Sequence, residues 1–551
     1  MKKLILTLAL LTISVSAFSQ LSTKQNPRSF KMDVNEQTIP LQTLEAPDVD
    51  LLLAEDEENA KTNFKPQRCA THIAYNANFF DKAMHIALTD ADLYLLKIHI
   101  PYAQALNIYA NNFYIPKGGE LYLWNPDHTK VLGAFTSDNN NDENLFATDY
   151  VYGDEMIIEY YQPKTTHEKA SFNINEFGYF YRDVINFEEA KSSYEFRSSG
   201  TCNVNANCSE GNDYRDIQRA VCRILVYMGS YGSGWCTGTL INNTNDDKTP
   251  YVISAGHCVE YTTTASQYNN FVFYFNYESN GCSTPSTEPS YTSLSGCTRL
   301  AYDNSYATEN SDYLLVKLKS SIPASINAYW VGWTKNTTMT SGGIDFHHPA
   351  GDIKKVSTFT STPTSAQYPS ATSTNKNHWK VKWVSTSNGF GITEGGSSGS
   401  GIFNREKKLF GTLSGGYSDC EQSASYQYDF FGKFSISFTY LSQWLDPTNS
   451  GVQEMNGRSY NSASSLEEIK DGISLSVYPI PAKDQISINL ENLDDDAVVS
   501  VLDNLGRTLL SQKISMDSKR TILDISSLEQ GTYFIRAYSN KNSVIKKITK
   551  E

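Results

Sequence analysis

Three short patterns hold side chains that could do chemistry together. Tyr251-Val252-Ile253-Ser254-Ala255-Gly256-His257-Cys258 ends a β-branched run on a histidine. That histidine lies between Cys236 and Cys258, close enough in sequence to staple the loop beneath it. Asn310-Ser311-Asp312 opens the apolar run Tyr313-Leu314-Leu315-Val316, where a carboxylate can be partly buried. Glu394-Gly395-Gly396-Ser397-Ser398-Gly399-Ser400-Gly401 sets a serine among glycines, so backbone N–H groups can face a ligand without Cβ obstruction. A hydroxyl, an imidazole and a carboxylate are the parts of nucleophilic catalysis. No HExxH or CxxC spacing occurs, so neither a catalytic metal nor a cofactor is expected.

The order His257, Asp312, Ser398 is that of chymotrypsin-like enzymes, and not of subtilisins or α/β-hydrolases. With its flanks, the chain resembles the chymotrypsin-fold serine endopeptidases over about residues 198–457, and most closely the bacterial lysyl endopeptidases. The flanks are Gly200-Thr201-Cys202-Asn203-Val204, Arg215-Asp216-Ile217-Gln218-Arg219-Ala220-Val221, Ile344-Asp345-Phe346-His347-His348-Pro349 and Leu441-Ser442-Gln443-Trp444-Leu445-Asp446-Pro447. The resemblance implies that Ser398 attacks the scissile carbonyl and that His257 serves as base, then as acid. Asp312 would hold the imidazole tautomer, and the N–H groups of Gly396 and Ser398 would form an oxyanion hole. His347 and His348 are read as structural. His72, His85, His99, His128 and His167 fall upstream of the block.

Trypsin-like digestive enzymes carry their specificity carboxylate six residues before the serine, and here that residue is Ile392. Lysyl endopeptidases place it later, in an Asp-x-Tyr-Gly-like stretch. Tyr428-Asp429-Phe430-Phe431-Gly432 matches, with Phe for Tyr, which makes Asp429 the candidate for binding a basic side chain. The resemblance therefore implies cleavage after Lys, or after Arg. The family also pairs a histidine beside the triad with a stacked tryptophan. Ser414 stands at the histidine position, where it joins Asp429 as a substrate-binding candidate, and Tyr368 lies near the tryptophan position. The alternatives are an inactive binding or adhesion protein on a protease scaffold and a chymotrypsin-fold peptidase of non-basic specificity.

Eight of the nine cysteines fall within 202–457, and Cys69 is the odd one. The family's bridges, carried over, give Cys202–Cys420, Cys208–Cys282 and Cys236–Cys258. Cys222 and Cys297 are extra together, which suggests a fourth bridge between them.

Other segments must deliver and position this block. Lys2-Lys3, the apolar run Leu4 to Val15 and Ala17-Phe18-Ser19 read as a signal peptide over residues 1–19, too short to span a bilayer. Residues 20–197 read as a separate β-rich propeptide, with runs such as Leu121-Tyr122-Leu123-Trp124 between turns. Lys191 and Arg197 are candidate processing sites. Residues 458–472 have linker composition. Over 473–551, Val477-Tyr478-Pro479-Ile480-Pro481, Leu505-Gly506-Arg507, Gly531-Thr532-Tyr533 and a basic end resemble the type IX secretion sorting domain of Bacteroidota.

The expected fold class is all-β dominated. It comprises a double β-barrel protease domain, a β-rich pro-domain and a small C-terminal β-sandwich. At about 150 residues per domain, 551 residues allow three to four units. A net charge of −14 counts against nucleic-acid partners. The expected partners are protein or peptide substrates and the type IX machinery. The mature protein is expected to be a monomer, secreted or on the cell surface after crossing the periplasm and outer membrane.

Overall fold

The computed structural model describes residues 25–32, 34–62, 66–182, 184, 199–305, 310–461, 474–491, 495–503, 508–539 and 543–551. The signal peptide, both candidate processing sites and most of the 458–472 linker lie outside these residues. Residues up to Tyr460 form one unit, and Asn461–Glu551 a second.

Short β-branched and aromatic runs become strands throughout. In the N-terminal block these include β1 (Gln67–Asn78), β2 (Ala91–His99), β3 (Ala105–Tyr114), β4 (Glu120–Trp124), β5 (Glu155–Pro163) and β6 (Ser171–Phe180). Alternating burial along β2 sets Leu93 and Leu95 into one core cluster, and Leu96 and Ile98 into the cluster on the opposite face. Helix α1 (Val49–Thr62) precedes β1.

The central block has two antiparallel β systems. The first contains β7 (Val221–Tyr227), β8 (Ser233–Leu240), β9 (Tyr251–Ser254), β10 (Val272–Phe275), β11 (Cys297–Asp303) and β12 (Tyr313–Leu318). Strand β7 is nearly all apolar because both of its faces are buried. The second contains β13 (Gly343–His347), β14 (Lys355–Phe359), β15 (His378–Lys382), β16 (Gly401–Asn404), β17 (Lys408–Gly416) and β18 (Tyr428–Lys433) in a 10-stranded sheet. Helix α2 (Phe434–Leu445) buries Phe434, Phe438, Leu441 and Leu445, one face at helical spacing, on the shared core.

The N-terminal block is not separate from the central one. Strand β1 adds to the edge of β8, so a 12-stranded sheet runs from one into the other. Apolar residues of both, among them Ala70, Tyr150 and Phe180 with Leu225, Trp235 and Tyr274, close over one another. Strand edges are unpaired donors and acceptors, and β8 meets its need with a strand from upstream in the chain.

The second unit has β19 (Ser474–Tyr478), β20 (Gln485–Glu491), β21 (Ala497–Leu502), β22 (Thr508–Ile514), β23 (Arg520–Asp524), β24 (Gly531–Tyr538) and β25 (Ser543–Lys550). They form a 3-stranded sheet (β19-β20-β23) and a 4-stranded sheet (β22-β21-β24-β25). Both sheets contribute to one core, including Ile486, Ile488, Val499, Val501 and Ile535, as in a sandwich.

Candidate active site

His257 sits in a 3₁₀ turn directly after β9, and Asp312 directly before β12. The two strands are ladder neighbours, with Ser254 opposite Leu314, so the pairing brings the two side chains together. Asp312 Oδ1 accepts the His257 backbone N–H at 2.8 Å, and Oδ2 lies 2.7 Å from Nδ1. Asp312 takes this pose with φ at 53°, a left-handed conformation rare for a non-glycine residue. Gly256 has no substitute: a Cβ there would collide with the Asp303 carbonyl. The Cys236–Cys258 disulfide ties the turn to β8.

Both groups are buried. Burial alone would raise the Asp312 carboxyl. The charge of His257, the two His257 hydrogen bonds and the Ser414 hydroxyl outweigh it and hold Asp312 below its ordinary value. Ser414, near the end of β17, is in turn 3.1 Å from His378 Nε2 on β15. The Tyr368 ring lies 5.1 Å from that of His378. Burial pushes His378 down to about 4, so it is neutral at ordinary pH.

Ser398 comes to the same place from the second sheet. Its carbonyl accepts the Thr237 N–H of β8 at 2.8 Å, one residue past the Cys236 bridgehead. Gly399, at φ 84°, approaches Ser254 so closely that a Cβ would collide with its hydroxyl. Gly396 lies at φ 89°, and a Cβ there would press on the His348 carbonyl. Ser397 Oγ accepts the Glu394 N–H at 3.1 Å and lies 2.7 Å from His347 Nδ1, which clamps the loop from beneath.

A cavity of about 460 Å³ opens beside Ser398. Its walls include Thr393, Gly395 and Ser414 to Gly416, with Asp429 among its lining residues. Asp429 Oδ2 accepts from Trp383 Nε1 (2.5 Å), Thr393 Oγ1 (2.7 Å) and Ser418 Oγ (2.5 Å), and Oδ1 from the Ser418 N–H (3.1 Å). Burial raises this carboxyl, and the neutral donors offset it only in part. Gly416 keeps the approach open, because a Cβ there would collide with Asp429 Oδ1. Pro66, Gln67 and Arg68 of the N-terminal block line the same cavity.

The structure thus brings His257, Asp312, Ser398, Gly396, Ser414 and Asp429 into one region, although they are up to 172 residues apart in sequence (429 − 257). Sequence reasoning missed Trp383, Thr393 and Ser418 around Asp429. It also missed His378 behind Ser414, and it read His347 as structural without placing it under Ser397. Their positions depend on strand register, and no local motif marks them.

Three disulfides form, Cys202–Cys420, Cys208–Cys282 and Cys236–Cys258. The expected bridge between Cys222 and Cys297 does not. Cys222 on β7 points at the Gly238 carbonyl, and Cys297 on β11 at the Tyr268 carbonyl, so the two thiols occupy different parts of the core. Burial pushes the Cys222 thiol up to about 12 and raises that of Cys297 further, as for inert packing groups. Cys69 is buried in β1, its thiol 3.4 Å from the Ser233 carbonyl.

Residues 196–432 match the family described as lysyl endopeptidase, C-terminal domain, and residues 476–551 the secretion system C-terminal sorting domain. A lysyl endopeptidase of Pseudomonas aeruginosa is 30% identical over 310 residues, 54% of this chain. The aligned part spans 62% of that curated relative's length. Among solved structures, an HL collagenase is 15% identical with a TM-score of 0.28, covering 43% of this chain and 96% of that one. A Glu endopeptidase is 16% identical with a TM-score of 0.25, covering 41% and 90%. The sorting-domain match agrees with export to the cell surface or beyond. The chain is therefore similar to the lysyl endopeptidases over its central block and to secretion sorting domains over its last strands.

Proposed function

We propose that the protein is a secreted serine endopeptidase that cuts after basic residues, Lys above Arg. The observation that carries this reading is the buried Asp312–His257 pair set against the Ser398 loop, beside a cavity with an anionic side chain. Asp312 fixes the Nδ1–H tautomer, which leaves Nε2 as the base for Ser398. Ser398 Oγ attacks the carbonyl, and its proton passes to His257 and then to the leaving amine. Water reverses the sequence on the acyl-enzyme, releasing the acid and restoring Ser398. The N–H groups of Gly396 and Ser398 would stabilise the oxyanion, at about 3–4 kcal/mol for a well-placed donor.

Asp429 is the basis for the basic preference. Its hydrogen bonds all come from neutral donors, so a substrate ammonium or guanidinium would supply the missing cation. Residues 473–551 would address the chain to the type IX machinery, and the N-terminal block would act as the propeptide of a zymogen.

Peptide-library profiling of the processed protein beside Ser398→Ala tests the reading. Hydrolysis after Lys and Arg that disappears in the variant is the expected result. A dominant Phe, Glu or Ala before the cut would remove Asp429 from its role. No hydrolysis by either protein would point to a binding protein instead. Secretion left intact by deleting residues 473–551 would defeat the sorting role.

A further inference from the structure

The two carboxylate oxygens of Asp429 are not alike. Oδ2 accepts from three side chains: Trp383 Nε1 just past β15, Thr393 Oγ1 on the loop that leads to Ser398, and Ser418 Oγ just past β17. Oδ1 accepts one bond, from the Ser418 N–H. A carboxylate oxygen has two lone pairs, so three donors saturate Oδ2. The ladders set Asp429 opposite Val381 on β15 and opposite Gly416 on β17. Gly416 brings no side chain to cover Oδ1, and a Cβ there would collide with that oxygen.

The two hydroxyls are held as donors. Ser418 Oγ accepts the Thr393 N–H at 3.1 Å, which leaves its own proton for Asp429. Thr393 Oγ1 lies 2.7 Å from Oδ2. Thr393 and Ser418 both line the cavity, whereas Trp383 is buried off its wall. A side chain that reaches for Oδ2 from the cavity therefore meets these two hydroxyls first. Arg68 lines the same cavity, but Asp56 and Glu55 of α1 hold its guanidinium at 2.9 and 3.0 Å. The charge on Asp429 is thus left for a substrate.

We propose that Thr393 and Ser418 set the preference for Lys over Arg, by capping Oδ2 of Asp429 so that the cavity offers a basic side chain one carboxylate oxygen instead of two. This rests on the reading above, in which Asp429 meets the basic side chain. A guanidinium binds a carboxylate best through a planar fork, two parallel N–H bonds to two oxygens. With Oδ2 saturated, the fork is reduced to one bond. The other guanidinium donors are then carried into a closed cavity without the acceptor they are shaped for, and a buried donor left unpaired is destabilising. An ammonium has no fork to satisfy. It is a compact charge with three donors that rotate, so one free oxygen is enough to hold it. The lone pairs of Thr393 Oγ1, whose proton goes to Oδ2, remain to accept a second of its bonds. The same two hydroxyls therefore favour the ammonium and disfavour the guanidinium.

The test compares kcat/KM for peptides that differ only in Lys or Arg before the cut. Each protein is expressed as the full chain, assayed after processing and normalised to titrated Ser398. Thr393→Ala removes a donor from Oδ2 and opens room beside it, so the Arg-to-Lys ratio should rise at least about tenfold. Thr393→Ser keeps the hydroxyl and should stay within about twofold of the parent ratio. Ser418→Ala keeps the N–H on Oδ1 and loses the hydroxyl on Oδ2, so it should move the ratio in the same direction. It decides the matter if Thr393→Ala yields no titratable serine. An unchanged ratio in both alanine variants, or equal falls for the two peptides, would overturn the proposal and leave Asp429 in its role. A parent enzyme that ignores both peptides, or an Asp429→Asn variant that cuts the Lys peptide as fast as the parent, would overturn the reading beneath it.

Discussion

Asp429→Asn isolates the charge at the cavity from its shape. The side chains are nearly isosteric, and three of the four donors converge on Oδ2. An asparagine would turn its oxygen toward Trp383, Thr393 and the Ser418 hydroxyl. Its NH₂ would then face the Ser418 N–H, a donor against a donor that costs about 1–3 kcal/mol. Loss of a buried carboxylate whose ionised form is disfavoured by burial works the other way, so Tm at neutral pH should shift by only a few degrees. Catalysis should change far more. A unit charge about 4 Å from a substrate ammonium, at an effective dielectric of about 20, contributes about 4 kcal/mol. At about 1.4 kcal/mol per tenfold, kcat/KM for a Lys peptide should fall about a thousandfold. A Leu peptide should lose little. In the parent enzyme, protonating Asp429 should weaken Lys cleavage starting above the ordinary aspartate range, because burial raises that carboxyl. Residual activity of the variant should lack that acid limb. The assay is kcat/KM for matched Lys and Leu peptides from pH 4 to 9, normalised to titrated Ser398. A fall below tenfold for Lys, or equal falls for both peptides, would refute the reasoning.

Other consequences follow from the same geometry. Gly416→Ala puts a methyl group against Asp429 Oδ1, so Lys-peptide cleavage should fall at least a hundredfold while a small serine-directed sulfonyl fluoride still labels Ser398. Replacing Cys236 and Cys258 together by Ala opens a bridge that spans 22 residues. By chain entropy this should cost about 3 kcal/mol, read by denaturant unfolding of the Ser398→Ala chain. His72 on β1 stacks on Tyr227 at 4.6 Å, and burial holds its pKa down to about 3. Its imidazole is neutral when docked and titrates near 6.5 once released, so its share of docking is complete above about pH 6.5 and fades as pH falls toward 3. At pH 5 the loss through this one residue should be about 2 kcal/mol. It is measured as the difference in pH-dependent unfolding between the Ser398→Ala chain and the same chain with His72→Gln.

The sequence by itself determined what kinds of groups are present and their local settings. His257 ends a β-branched run, Ser398 sits among glycines, and Asp312 opens an apolar strand. Residues a few positions apart decide such features, so they are legible in order along the chain. The eight cysteines suggested a framework, and the family resemblance supplied three pairings that the structure also contains. Pairing Cys222 with Cys297 by elimination failed, because parity says nothing of which way two distant strands turn their side chains. Tertiary structure alone decided that Trp383, Thr393 and Ser418 surround Asp429, since their meeting depends on the register of β15 with β18 and on a loop crossing above them. It also decided that the N-terminal block is part of the central sheet. The text of β1 reads as an ordinary strand, and its partner is fixed by an exposed edge some 160 residues away (233 − 70 = 163), a long-range pairing that no local pattern encodes.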